Sequence, residues 1–552
     1  MGLLGIVAAQ ARRVDLLPKL IRLLPVLSLL CILAGAGNLA VLPVVGQYRN
    51  TYFSENALLT HQAITFFRES DWDVVRGFKG QVRDYFDKNV PEAERNAELV
   101  ELFHSFGLQA YTHDWHTQDG QSGQNLYAIN MASRGPHNEA IVIAAPWLIQ
   151  QDFNEGGTAL LISLARFFQR WNFWHKNLIF VLPSNSDVAL RSFVDAYYSS
   201  LQYTAGSIEG AIVLDYSFSG EFFESIDVDF EGLNGQLPNL DLVNSGIHSV
   251  MSEFTKPRTL GIDDPGDGQE GTYSDRALSI GRHIWQQMLA GVRPSRCASA
   301  MFSGWRIDAI TLRAVEGNAW YDITTLGRVC ESTVRSINNL HEHFHQSFFF
   351  YLMLAPRRFV SIASYLPTGM LVAASFSVMG LYRFVVATNV TASAVWRTVV
   401  ILVGLLLICG AGVYAPSAGS AALFLGGVGV VSFSLSALLT VTEKSVLNAM
   451  ALGLIGLELV TLSMVNFSLA LGMGLACVPL AWVRPGGNKI LNFLFSSLGP
   501  ATVLSILAAQ MDTTFMDLLA KLVWSGRELH VRTWGLVAAV WVPLWAACLA
   551  CT

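Results

Sequence analysis

"EAIVIAAPWLIQQDFNEGGTALLISLARFFQRW" (residues 139–171) decides the fold of the first half of this chain. After Glu139 the run "AIVIAAP" is unbroken by charge, the pattern of a strand buried on both faces. "GGTALLISLARFFQRW" (156–171) then carries its apolar residues at helical spacing. The alternation continues with "NLIFVLP" (177–183) as a strand, "VALRSFVDAYYSSL" (188–201) as a helix and "GAIVLDYS" (210–217) as a third strand. Strand, helix, strand, helix, strand predicts parallel pairing, an α/β sandwich with a mostly parallel sheet. No internal repeat or low-complexity segment interrupts it.

Outward from that core the composition changes. The 552 residues are 52% hydrophobic and only 14% charged, against about a quarter charged in ordinary soluble domains. Residues 47–356 are mixed in character, whereas 357–552 form a nearly continuous series of apolar runs. A spanning helix takes about 20 apolar residues, and residues 20–46 supply the first. That run is too long for a cleaved signal peptide and no small-residue cleavage site follows it, so it reads as an anchor. Arg12, Arg13, Lys19 and Arg22 precede or open it, which places residues 1–19 in the cytosol and 47–356 across the membrane. Further spans are predicted at roughly 361–385, 395–415, 419–440, 446–465, 466–483, 489–509 and 533–551, about seven over 357–552, which with the first make an α-helical polytopic membrane part of about eight spans. With that count the loops bearing Arg383, Arg397, Lys444, Arg484 and Lys489, and the C-terminus, all fall on the cytosolic side. Residues 511–532 are amphipathic and are expected along the far surface. Glu443, Lys444 and Glu458 are nearly all the charge in or beside spans 4 to 6, so no ion path is indicated.

The net charge of −6 comes without any long basic block, which excludes a nucleic-acid role. Of seven cysteines, Cys297 and Cys330 lie outside the apolar runs; they could pair in an oxidising compartment or remain thiols. Ligands of open α/β sheets sit beyond the carboxyl ends of the strands, which here carry Asp152, Glu155, Asp187 and Asp215. The element order resembles the di-zinc aminopeptidase fold. Enzymes of that fold bind zinc through a His-x-Asp, an Asp, a Glu-Glu pair, a later Asp and a final His. The corresponding places read "PWLIQ", "SNSD" and "WYD", the last with Tyr321. Zinc wants a tight set of imidazole, thiolate or carboxylate with one open position, so no zinc is expected. A hard divalent cation, magnesium or calcium, at Asp152, Asp187, Asp215, Glu231 or Tyr321 stays open. So does the alternative of a metal-dependent peptidase or amide-bond-forming enzyme. Ser184, His113, His116 and His283 stand in no nucleophile-elbow context. In "HEHFHQSFF" (341–349), His341 and His345 would share a helix face, and the segment reads as a helix end beside the membrane.

"FEGLNGQLPNLDLVN" (230–244) gathers Gly232, Gly235, Pro238 and three asparagines into a turning path. Structurally it reads as a turn locking the sheet edge; chemically, Glu231 could help hold a cation. With "MGLL" at the start, "YFSENAL" (52–58), "HQSFFFYL" (345–352) and "RFVSIASYLP" (358–367), this loop resembles the Gaa-type subunit of the glycosylphosphatidylinositol (GPI) transamidase over the whole chain. The resemblance implies a multi-pass protein of the endoplasmic reticulum membrane, with an aminopeptidase-like luminal domain over 47–356 and both termini cytosolic. It implies a non-catalytic subunit that binds and presents the GPI lipid, with transfer assigned to a caspase-like cysteine protease subunit among its partners. It further implies lipid contact by Tyr52, Ser54, His345, Gln346 and Ser347, and a lipid groove shaped by Pro543 in the last span. No Asn-x-Ser/Thr occurs in 47–356, so no N-glycan is expected there.

Overall fold

The computed structural model describes residues 16–59, 64–266, 268–340 and 342–552. "MGLL", Arg12, Arg13 and His341 lie outside the described residues. The chain forms two compact units. One is built on Pro43–Ile362 with Glu528–His530; the other holds the described residues up to Leu42, Ala363–Arg527 and Val531–Thr552.

The first unit is an α/β fold around one large mixed sheet. In chain order its strands are β1 (Gln109–His116), β2 (Ser122–Asn130), β3 (Glu139–Ala144), β4 (Asn177–Leu182), β5 (Ser207–Asp215), β6 (Phe222–Asp229), β7 (Lys256–Thr259), β8 (Ile262–Asp263), β9 (Ala309–Glu316) and β10 (Tyr321–Asp322). Across the sheet they run 8-7-6-9-5-3-4-2-1, with β10 beside β6. The four strands β4, β3, β5 and β9 are parallel. Antiparallel pairing begins where β2 joins β4 and where β6 joins β9. All six residues of β4 are buried, as expected of a strand covered on both faces. Helices Trp72–Asp87, Glu155–Gln169, Leu240–Ser252 and Ile323–Asn338 pack into one layer, while Val188–Ser199 meets the turn Ala298–Trp305. A separate small sheet pairs Arg49–Asn50 with Arg358–Ser361, and that strand with Tyr351–Ala355.

Two expectations are corrected. "HEHFHQSFF" is not a helix end: the helix stops at Asn338 and residues 342–350 are irregular, bent backbone. The backbone N–H groups of His345 and Gln346 are drawn onto a carboxylate instead of a helical carbonyl. The loop 230–244 does not lock a sheet edge, because the strand feeding it, β6, lies between β7 and β9.

The second unit is helical. Five helices are long and apolar enough to cross a membrane: Pro18–Val41, Ile362–Val386, Ala392–Tyr414, Ala418–Leu438 and Val441–Val465. Two bent pairs raise the number to as many as seven, Lys489–Ser497 with Pro500–Gln510 at 47° and Phe515–Glu528 with Thr533–Leu549 at 112°. A shorter apolar helix fills Phe467–Trp482. Seven described cysteines are free thiols, Cys297 and Cys330 among them, both buried.

Candidate functional site

Two buried carboxylates tie three separated motifs together. Asp241, fully buried in "FEGLNGQLPNLDLVN", lies in the first turn of the helix Leu240–Ser252. Its Oδ1 and Oδ2 accept the Ser54 N–H at 3.2 and 3.0 Å, and Oδ2 accepts the Glu55 N–H at 2.8 Å. The Ser347 hydroxyl also bonds this carboxylate. Burial pushes the Asp241 carboxyl above its usual range, against the pull of those hydrogen bonds. Glu55, 6% exposed, answers from "YFSEN": its Oε1 accepts the N–H groups of His345 at 3.2 Å and Gln346 at 3.0 Å. A carboxylate offers about four lone-pair sites, and these two spend theirs chiefly on main-chain donors that would otherwise be orphaned.

Further hydrogen bonds close the clasp. The Asn244 amide donates to the Tyr52 carbonyl at 3.1 Å, the Leu240 N–H to the Phe348 carbonyl at 2.9 Å, and the Tyr351 hydroxyl to the Pro238 carbonyl at 2.9 Å. Phe53 packs on His248 with ring centroids 5.0 Å apart. Tyr52, His345 and Gln346 are left exposed, and the side chains of Tyr52 and Gln346 make no hydrogen bond among the described residues. The His343 carbonyl, 2.8 Å from Nδ1 of His345, holds that imidazole above its ordinary pKa. Tyr52, Ser54, His345, Gln346 and Ser347 are thus brought together. Pro543 belongs to the helical unit, where it is buried in the first turn of Val542–Leu549 directly after a π-helical turn, Val537–Trp541. A proline lacks the N–H that the ladder would use, and a wider turn at that point accommodates the gap.

The cation candidates are not brought into one set. Arg296 sits between two of them, 3.0 Å from Asp152 Oδ2 and 3.5 Å from Asp215 Oδ2. Asp187 caps Val188–Ser199, accepting the Val188 N–H at 2.8 Å. Glu231 is buried, paired with Arg293 at 2.8 Å and accepting the Ser295 hydroxyl at 2.7 Å. The Tyr321 hydroxyl donates to the Phe254 carbonyl. Among the described residues no three His, Cys, Asp or Glu side chains form a group that could hold a metal ion. Arginine faces Asp152, Asp215 and Glu231, and Asp187 is spent on a helix cap, so these carboxylates do not fit a resident metal.

The motif 230–244 joins a wider match. The model of the family described as Gaa1-like, GPI transamidase component, matches residues 122–549. The chain belongs to the Gaa1-like family of GPI transamidase components. It is 40% identical over 481 residues to the GPI transamidase component GAA1 of Saccharomyces cerevisiae, covering 85% of this chain and 77% of that one. It is 29% identical over 510 residues to gaa1 of Schizosaccharomyces pombe, covering 88% and 86%. Among solved structures it is similar to a putative zinc-dependent exopeptidase from Bacteroides vulgatus, with 14% identity, a TM-score of 0.31, and 51% of this chain and 100% of that one covered.

In this Gaa1-like chain, sequence reasoning missed Glu55 and Asp241, although both stand inside the quoted motifs. One signal was available: Asp241 has leucines on both sides and no basic residue near it in sequence, so it needs main-chain donors if buried. A second miss is the alternation Asp227, Asp229, Glu231 against Ile226, Val228 and Phe230. Period two puts Asp227 and Asp229 on one face of β6, where Arg313 contacts both at 2.9 Å, and Glu231 follows just beyond the strand.

Proposed function

We propose that this transamidase component is a non-catalytic subunit that binds the head group of the GPI lipid and presents it to a caspase-like cysteine protease subunit. The observation that carries this is the clasp, in which Glu55 and Asp241 fix two segments that leave the side chains of Tyr52, His345 and Gln346 exposed. Tyr52, His345 and Gln346 then offer a phenol, an imidazole and an amide to a phosphorylated glycan, with the half-buried Ser54 and Ser347 beside them and the Ser347 hydroxyl held by Asp241. In sequence these segments adjoin the helix ending at Val41 and the helix beginning at Ile362. The surface therefore belongs beside the membrane, with residues 47–356 in the endoplasmic reticulum lumen, 1–19 cytosolic, and 20–46 and 357–552 in the bilayer. Pro543 shapes a groove for the lipid in the last span.

Equilibrium binding of a labelled GPI analogue to the purified complex tests this. Tyr52→Phe/Ser54→Ala and His345→Ala/Gln346→Ala each remove two groups, at about 1 kcal/mol per hydrogen bond. Each pair should weaken binding roughly ten- to thirtyfold while subunit composition stays the same. Unchanged affinity in both would remove the head-group assignment.

A further inference from the structure

The helix Val441–Val465 has two unlike faces. Leu452, Ile455, Gly456, Leu459 and Ser463 are buried within the helical unit. Gly456 lies so near the helix Ile362–Val386 that a Cβ there would stand 2.8 Å from the Ala373 carbonyl oxygen. Such small-residue contacts are how membrane helices approach closely. On the other side Leu457, Glu458, Thr461, Met464 and Val465 are exposed, the spacing of a single helical stripe.

Glu458 does not suit that stripe. Glu443, by comparison, sits at the helix start in a capping box with Thr440, and Arg397 is 3.5 Å away. Glu458 lies about 8 Å from the helix midpoint and about 10 Å from its C-terminal end at 1.5 Å per residue. That places it within a hydrocarbon layer about 30 Å thick. Among the described residues its carboxylate has no hydrogen bond and no ion pair, and its stem is too short to carry the charge to the interface as lysine or arginine can. Ionisable groups at this depth almost always face a partner or a cavity.

We infer that this stripe is covered, in the assembled transamidase, by a transmembrane helix of another subunit that presents a lysine or arginine to Glu458. The charge selects the occupant: lipid tails offer it nothing, and a second copy of this chain would oppose it with the same carboxylate. The inference depends on membership of a multi-component transamidase and is independent of the head-group proposal.

A photoreactive amino acid placed at Leu457 or Thr461 of the full chain, in membranes, tests it. The expected adduct is an apolar segment of another transamidase subunit with a lysine or arginine within one helical turn of the labelled residue. Glu458→Leu suits lipid better than the native side chain, so this variant keeps its own level in the membrane. It should nonetheless lower recovery of that subunit about tenfold, because the partner's cation is left unpaired. Glu458→Lys should do the same and be rescued by a carboxylate at the partner's basic position. Adducts to phospholipid alone, to a second copy of this chain or to a segment lacking a basic residue would overturn the inference, as would full recovery with both variants.

Discussion

Asp241 and Glu55 hold together residues nearly two hundred and three hundred positions apart, and each does so with main-chain donors. Asp241→Ala orphans the N–H groups of Ser54 and Glu55 in a dry site and should destabilise the α/β unit by about 3 kcal/mol. Differential scanning fluorimetry of the purified complex reads this as a lowered first midpoint. Gln346→Ala removes only an outward amide and should leave that midpoint in place. Asp308 gives a pH-dependent signature. Burial pushes its carboxyl up to about 7 while its Oδ1 accepts the Asn239 N–H at 2.7 Å. Its folded pKa lies above the unfolded one, so its contribution is fully present below about pH 4 and is lost as pH rises toward 7. Asp308→Asn should flatten the fall in stability over that window, and a slope identical to the native one would refute the assignment. The two segments of the clasp could be picked out of the sequence, and three of the five residues named there, Tyr52, His345 and Gln346, lie exposed. Its two carboxylates could not be picked out, because an acidic residue in a polar loop looks like any solvated charge until the donors folded around it are known.

At the scale of elements, residues 230–239 turn tightly ahead of the helix Leu240–Ser252. Gly232 is required by close approach, since a Cβ there would stand 1.8 Å from the Gln236 carbonyl oxygen. Gly232→Ala therefore forces the turn open and should cost about 3 kcal/mol, lowering the yield of folded chain. Asn234 and Gly235 supply the positive φ values of 57° and 80° that close the turn. Arg313 is the counterpart on β9, and Arg313→Met strands Asp227 and Asp229, a loss of about 3–5 kcal/mol when one partner of a buried ion set is removed. Urea unfolding of the complex followed by tryptophan fluorescence measures both variants. The core strands and helices from residue 139 to 217 were legible because apolar runs and helical periodicity there agree with the fold. The antiparallel flanks were not, since β1 and β2 alternate weakly and pair through contacts that a local pattern does not encode. "HEHFHQSFF" misled for a related reason: helical spacing of histidines carries no weight once Phe344 is buried and a distant glutamate takes the main-chain donors.

The whole molecule consists of an α/β unit and a helical unit. Hydropathy disclosed the apolar helices, because a run of about 20 apolar residues has few other fates. It did not disclose the bends of 47° and 112°, which arise at Gly499–Pro500 and at residues 529–532 and depend on tertiary packing. If the clasped segments form the head-group site, a bound GPI lipid touches them, and that contact can be mapped. A GPI analogue carrying a photoreactive group on its phosphoethanolamine would be crosslinked to the intact complex and the modified peptides identified by mass spectrometry. Adducts are expected within residues 52–56 and 345–347 of this chain. Adducts confined to other subunits, or to parts of this chain remote from both segments, would contradict the head-group assignment.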